Sequence, residues 1–173
     1  MSSNMKQVFE FLDATHATLG QHLHTLMGMA KPLQDGSLSP AQVSQLKSLC
    51  KFFDKEARQH HLDEELHIFP PLYESHDEQL VHTVKQLQQD HGWLEENWLE
   101  LHPLIEQAIQ GNSYIWEELE HAMQVFNSLY LDHMVLEERI AYPSAKAQAI
   151  KWDGEGIGRE MARIATGIGL EVV

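Results

Sequence analysis

Apolar residues recur at three- and four-residue intervals through four long stretches of the chain, the period of helices that bury one face. In the first stretch Phe9, Leu12, Leu19, Leu23, Leu26 and Ala30 form the stripe, and the spacing predicts a helix from Asn4 to about Ala30. The second stripe runs through Val43, Leu46, Cys50, Phe53 and Ala57, the third through Leu80, Val84, Leu87, Leu94, Trp98, Leu101 and Ile105, and the fourth through Ile115, Leu119, Ala122, Phe126 and Leu129. Breaks separate them. Lys31 to Leu38, with Pro32 and Gly36, reads as a loop. Ser39, Pro40 and Gln42 read as a capping box that opens the second helix, and Ser75 with Glu78 as a second box before the third. Pro103 is expected to kink the third helix, because it lacks an N–H and crowds the carbonyl four residues back. Gly111-Asn112 ends that helix, and the fourth begins near Ser113. Short connections between long helices favour antiparallel neighbours. The expected fold is therefore all-α, an up-down-up-down antiparallel four-helix bundle over residues 1–145. A short helical extension over 146–173 would pack on the bundle or at an interface, with Lys146 to Lys151 helical and Asp153 capping a short helix through Ile164.

The stripes are interrupted by polar residues at positions reserved for apolar ones. His16 sits in the first stripe and His91 in the third. His60 and Glu64 continue the second, and His133 and Glu137 the fourth. The last two pairs belong to a sequence used twice: His60-His61-Leu62-Asp63-Glu64-Glu65-Leu66-His67-Ile68-Phe69-Pro70 and His133-Met134-Val135-Leu136-Glu137-Glu138-Arg139-Ile140-Ala141-Tyr142-Pro143. Both read H-x-x-x-E-E-x-x-x-[FY]-P, and Phe53 and Phe126 stand at one distance before the two histidines. Residues four apart lie on one helix face, so each copy projects an imidazole and a carboxylate together. Each proline is expected to close its helix. Leu12-x-x-x-His16 also aligns with Leu87-x-x-x-His91, so the chain reads as a helix pair used twice. Counting residues from the turns places His91 level with His133 and with His60, while His16 and His60 match less well.

Four imidazoles and two carboxylates on core stripes are costly to bury, at several kcal/mol for each unpaired ion. A cation resolves the cost. Mixed imidazole and carboxylate ligands suit iron, manganese or zinc better than calcium or magnesium. Two carboxylates, each four residues from a histidine, are placed to bridge two metals about 3.5–4 Å apart. The candidate ligands are His16, His60, Glu64, His91, His133 and Glu137. His24, His61, His67 and Glu95 read as surface or outer residues ahead of a further terminal ligand, Asp90 and Asp132 as solvated charge ahead of partners that orient the ligand imidazoles, and His22, His76, His82, His102 and His121 as exposed. Phe53, Phe69, Phe126 and Tyr142 read as core packing, with closure of one end of the site by the aromatic before each proline as the second reading.

Composition narrows the partners. The formal net charge is −14 over 173 residues, which argues against nucleic acid and against anionic membrane. One cysteine, Cys50, excludes an internal disulfide, as suits a reducing compartment. The first residues show no basic segment leading into an apolar run, and no stretch is long enough to span a bilayer, so a cytoplasmic protein is expected. Gly154, Gly156 and Gly158 lack the preceding strand of a phosphate-binding loop. A homo-oligomer is compatible with the sequence.

From Phe9 to Pro143, the doubled H-x-x-x-E-E-x-x-x-[FY]-P motif with lone histidines on the first and third helices resembles the hemerythrin and HHE cation-binding family. The resemblance implies a four-helix bundle around two non-haem iron ions, oxo- or hydroxo-bridged, held by His16, His60, Glu64, His91, His133 and Glu137. It implies binding or sensing of a small molecule such as O2 or NO, or of iron. The alternative it implies is redox or repair work on peroxide or nitric oxide under nitrosative stress, or iron delivery to damaged iron-sulfur clusters. Oxygen carriers of the family have H-x-x-x-H on the third helix and H-x-x-x-x-D on the last, where this chain has His91-x-x-x-Glu95 and His133-x-x-x-Glu137. The paired H-x-x-x-E pattern is more similar to the repair branch and to the iron- and oxygen-sensing domains. Repair proteins carry an added cysteine-bearing N-terminal segment, and this chain shows none.

Overall fold

The computed structural model describes the backbone of residues 3–151 and the side chains of residues 8–148. Lys146 to Lys151 are helical as expected, and the extension from residue 152 on, with the expected helix around Asp153 and the glycines after it, lies outside the described residues. No strand occurs among the described residues. The first helical run is α1 (Ser3–Gly28), broken at Met29 and resumed as α2 (Ala30–Gln34). Half of the expected loop is thus helical, and the real break is the turn at Gly36, whose φ of 61° suits a residue without a Cβ. The second run begins at α3 (Pro40–Lys51), opened by the expected capping box: Gln42 N–H donates to Ser39 Oγ, and Ser39 N–H to Gln42 Oε1. It continues through a widened turn, π1 (Phe52–Ala57), then α4 (Arg58–Asp63), π2 (Glu64–Ile68) and α5 (Phe69–Tyr73). The third run is α6 (Glu78–Ile109). Its cap is Asp77 rather than Ser75: Asp77 Oδ1 accepts from the N–H groups of Gln79 and Leu80, while Ser75 Oγ accepts from Asp77 N–H. The helix runs unbroken through Pro103. It ends as expected, Asn112 N–H donating to the Gln107 carbonyl and Gly111 taking φ 71°. The fourth run is α7 (Trp116–Leu136), π3 (Glu137–Ala141) and α8 (Tyr142–Lys151). It starts later than Ser113, and Ile115, outside it, is exposed.

Neither repeat ends its helix at proline. Phe69 N–H donates five residues back to the Glu64 carbonyl, and Tyr142 N–H five back to the Glu137 carbonyl. An α turn would drive the rings of Pro70 and Pro143 into the carbonyls of Leu66 and Arg139. The wider π turn moves those carbonyls aside and lets the helix continue. In both copies it opens at the glutamate of the H-x-x-x-E pair, so the same local device sets the aim of Glu64 and of Glu137.

The residues gather into two compact units. Of the described residues, the first takes in 3–16, 60–89 and 134–151. Its core is built on Phe9, Leu12, Phe69, Leu72, Val84, Leu87 and Tyr142, all under 3% exposed. The second takes in residues 17–59 and 90–133. Its core is aromatic: Phe53 and Phe126, the paired phenylalanines of the repeat, meet edge to face at 5.0 Å, and Trp98 and Tyr130 flank them at 5.0–5.4 Å. Such edge-to-face pairs add about 0.5–1.5 kcal/mol each beyond the area they bury.

Candidate metal centre

Glu64 and Glu137 have no exposure to solvent, and His16, His60, His91 and His133 are at most 4% exposed. All six stripe residues singled out by spacing are therefore interior. In the first unit, His16, His60, Glu64 and Glu137 converge, with a ligand atom from each lying within 4.8 Å of every other. His16 comes from α1, His60 from α4, and the two glutamates open π2 and π3. His16 Nε2 stands 3.2 Å from Glu137 Oε2, and His60 Nε2 stands 3.5 Å from Glu64 Oε1. The His16 and His60 rings cross at 4.9 Å. Counting had set these two histidines out of level because it assumed a uniform α rise. The break at Met29 and the widened turn π1 both shift the register. In the second unit His91 and His133 meet ring to ring at 4.8 Å, as their equal distances from the turn predict.

The surroundings hold these groups in place. His16 Nδ1 lies 3.2 Å from Glu138 Oε1, so this imidazole has a carboxylate on each ring nitrogen. Burial opposes its charge, but the hydrogen bond and charge of Glu137, with the charges of Glu64 and Glu138, outweigh it and raise its pKa. A metal held at Nε2 would leave Nδ1 to Glu138, the usual way an outer carboxylate orients a ligand histidine. The Tyr142 hydroxyl donates to Glu64 Oε1 and sits 3.1 Å from His16 Nε2. Burial, then the charges of Glu64 and Glu137, push its pKa well above 10, so the phenol stays a neutral donor. In the second unit Asp90 Oδ2 lies 3.8 Å from His133 Nδ1.

Several residues differ from their sequence reading. Tyr142 is more than packing: its hydroxyl reaches the site, while its counterpart Phe69 has none to offer. Glu138 was legible only as the second glutamate of the repeated E-E, and its counterpart Glu65 accepts from Gln88 instead. Asp90 faces the imidazole of His133 across the helix pair, whereas Asp132 is exposed as expected. His61, read as an outer residue, is 3% exposed. His24 is exposed, and Glu95 pairs with Arg58 at 3.5 Å. His22 packs on Phe52 at 4.6 Å, and His102 stacks on Trp98 at 5.0 Å, so neither is a free surface histidine.

Mixed imidazole and carboxylate donors, excluded from water and brought within one ion's reach, fit a transition-metal cation. The class this defines agrees with comparison to known proteins: the model of the hemerythrin HHE cation binding domain matches residues 7–145, and the chain belongs to that family of metal-binding proteins. A similar curated relative is an uncharacterized protein of Haemophilus influenzae (strain ATCC 51907 / DSM 11121 / KW20 / Rd), 27% identical over 129 residues, which cover 75% of this chain and 73% of the relative. No solved structure matches. No helix among the described residues is long and apolar enough to cross a membrane.

Proposed function

We propose that this hemerythrin-like protein holds two non-haem iron ions and uses them to bind or sense a small molecule, O2 or NO, or iron itself. The ligands are His16, His60, Glu64, His91, His133 and Glu137, carried by four helical runs arranged as an up-down-up-down bundle. The observation that carries the reading is the convergence of two fully buried glutamates with two buried histidines, each glutamate opening a π turn in its copy of one repeated motif. His133 and Glu137 repeat the four-residue spacing of His60 and Glu64, the spacing of a chelating pair on a helix. Asp90 beside His133 and Glu138 beside His16 support the same assignment, since ligand imidazoles carry such partners. Iron supplies redox change and coordination positions that six protein ligands leave open. The chain's own part is to hold the donors, keep water out with the Phe9, Leu12, Phe69 and Leu72 core, and fix the proton of Tyr142 on Glu64.

One observation favours a second reading, redox work on peroxide or nitric oxide or repair of iron-sulfur clusters. Tyr142 is a buried proton donor beside His16 and Glu64, which reduction of such a substrate consumes and reversible binding does not need. Stopped-flow mixing of the reduced, iron-loaded protein with oxygen, nitric oxide and peroxide in turn separates the readings. A spectral change that reverses on removing the gas supports binding. Turnover of added substrate supports the second reading, and no response to any of the three contradicts both.

A further inference from the structure

The second unit contains another group of ligand-type side chains, outside the H-x-x-x-E repeats. Cys50 is the chain's single cysteine. Its Sγ, a ring nitrogen of His102 and a carboxylate oxygen of Glu106 all lie within 4.8 Å of one another. Cys50 and Asp54 are four residues apart on the second helical run, and His102 and Glu106 four apart on α6. The second pair repeats the chelate spacing of His60 with Glu64. His102 Nε2 stands 3.6 Å from Glu106 Oε1, and its Nδ1 stands 3.4 Å from Asp54 Oδ1. Asp54 is held by the Trp98 indole N–H at 2.8 Å, and the Trp98 ring lies nearly parallel to the imidazole, 12° between planes. The ring plane is thus set by stacking. Asp54 on Nδ1 is placed to orient the ring, with Nε2 on the side of Glu106.

Cys50 is buried, yet the Glu106 and Asp54 carboxylates both act on its thiol. Burial, then the charges of Glu106 and Asp54, push its thiol up to about 12, so it stays protonated until a cation offsets those charges. The half-buried His102 and Glu106 leave a way in from solvent.

We propose that Cys50, His102 and Glu106 form a mononuclear site for a thiophilic divalent cation of the zinc class, with Asp54 orienting the His102 ring. Sulfur, imidazole and carboxylate donors are the set zinc takes, and calcium and magnesium avoid thiolate. On binding, the Cys50 S–H bond breaks, a sulfur–metal bond forms and the proton goes to solvent, with no change of oxidation state. Uptake therefore strengthens as pH rises.

Cobalt(II) is the probe, because a thiolate-to-cobalt charge-transfer band can come only from Cys50. The full-length protein titrated with cobalt should develop that band, and zinc should bleach it. Cys50→Ser should abolish it. His102→Ala and Glu106→Gln should weaken binding at least tenfold, and Asp54→Asn by about 10–100-fold, with helical circular dichroism confirming that each variant is folded. The band should persist in His60→Ala/His133→Ala, where the other centre is dismantled. Failure of the band to appear with cobalt in excess overturns the proposal. So does a band of unchanged affinity in both folded variants at 102 and 106, which would leave a lone thiol binding metal.

Discussion

Replacing Tyr142 with Phe removes one hydroxyl and nothing else from the interior. The ring stays stacked on His16 at 5.2 Å and edge-on to Phe9 at 6.1 Å, so no cavity opens. What is lost is the donor to Glu64, a carboxylate with no access to water. A hydrogen bond to a charged buried group contributes about 1.5–3 kcal/mol, and its removal costs the metal-free protein that amount. For a chain of this size the melting temperature falls by about 2–4 °C per kcal/mol, hence by about 3–12 °C. If Glu64 holds the proposed cation, the cation would neutralise it in place of the hydroxyl, and the loss should be smaller. The cycle then requires Tyr142→Phe to bind metal more tightly than the parent, about tenfold for each 1.4 kcal/mol by which the two losses differ. Urea unfolding followed by far-ultraviolet circular dichroism, with and without metal, together with chelator competition, measures every side of the cycle. A metal-free variant within about 0.5 kcal/mol of the parent, the range of an indifferent surface change, refutes the reasoning.

Other expectations follow from the same geometry. Removing Phe126, which touches Phe53, Trp98 and Tyr130, should cost about 3–5 kcal/mol in denaturant unfolding, and a loss under 1 kcal/mol would deny the aromatic cluster its role. With its pKa near 12, Cys50 in the metal-free native protein should react with a chromogenic disulfide far more slowly at neutral pH than after unfolding, and equal rates would contradict its burial. His16, its pKa raised above 6.5, stabilises the metal-free fold fully below that value, and this contribution disappears as pH rises through the folded pKa. Metal loading should run the other way, rising with pH as the proton on Nε2 leaves. Parallel unfolding and loading curves at several pH values test the sign.

Much of the centre was readable because periodicity reserves core positions for apolar residues, and a histidine or glutamate there must have a reason. That argument places His16, His60, Glu64, His91, His133 and Glu137 inside before any coordinates are consulted. It fails where the helix leaves the α period. The expectation that Pro70 and Pro143 close their helices missed the π turns, which depend on carbonyls shifting in three dimensions. The widened turn π1 and the break at Met29 spoiled the register of His16 against His60. Glu138 sits on the exposed side of its helix by pattern, and only the approach of α1 makes it a partner for His16. Tyr142 hid behind an aromatic position that Phe69 fills without a hydroxyl. The Cys50, His102 and Glu106 group was invisible because each residue taken singly suits an ordinary packing or surface role.

The most direct test of a dinuclear centre is the metal content of His60→Ala/His133→Ala beside the parent, each grown with iron and scored for helicity. Two iron ions per chain in the parent, and loss of iron from a variant that keeps its helical signal, are the predicted results. Stoichiometric iron retained by the folded double variant would contradict the assignment of these side chains as its ligands.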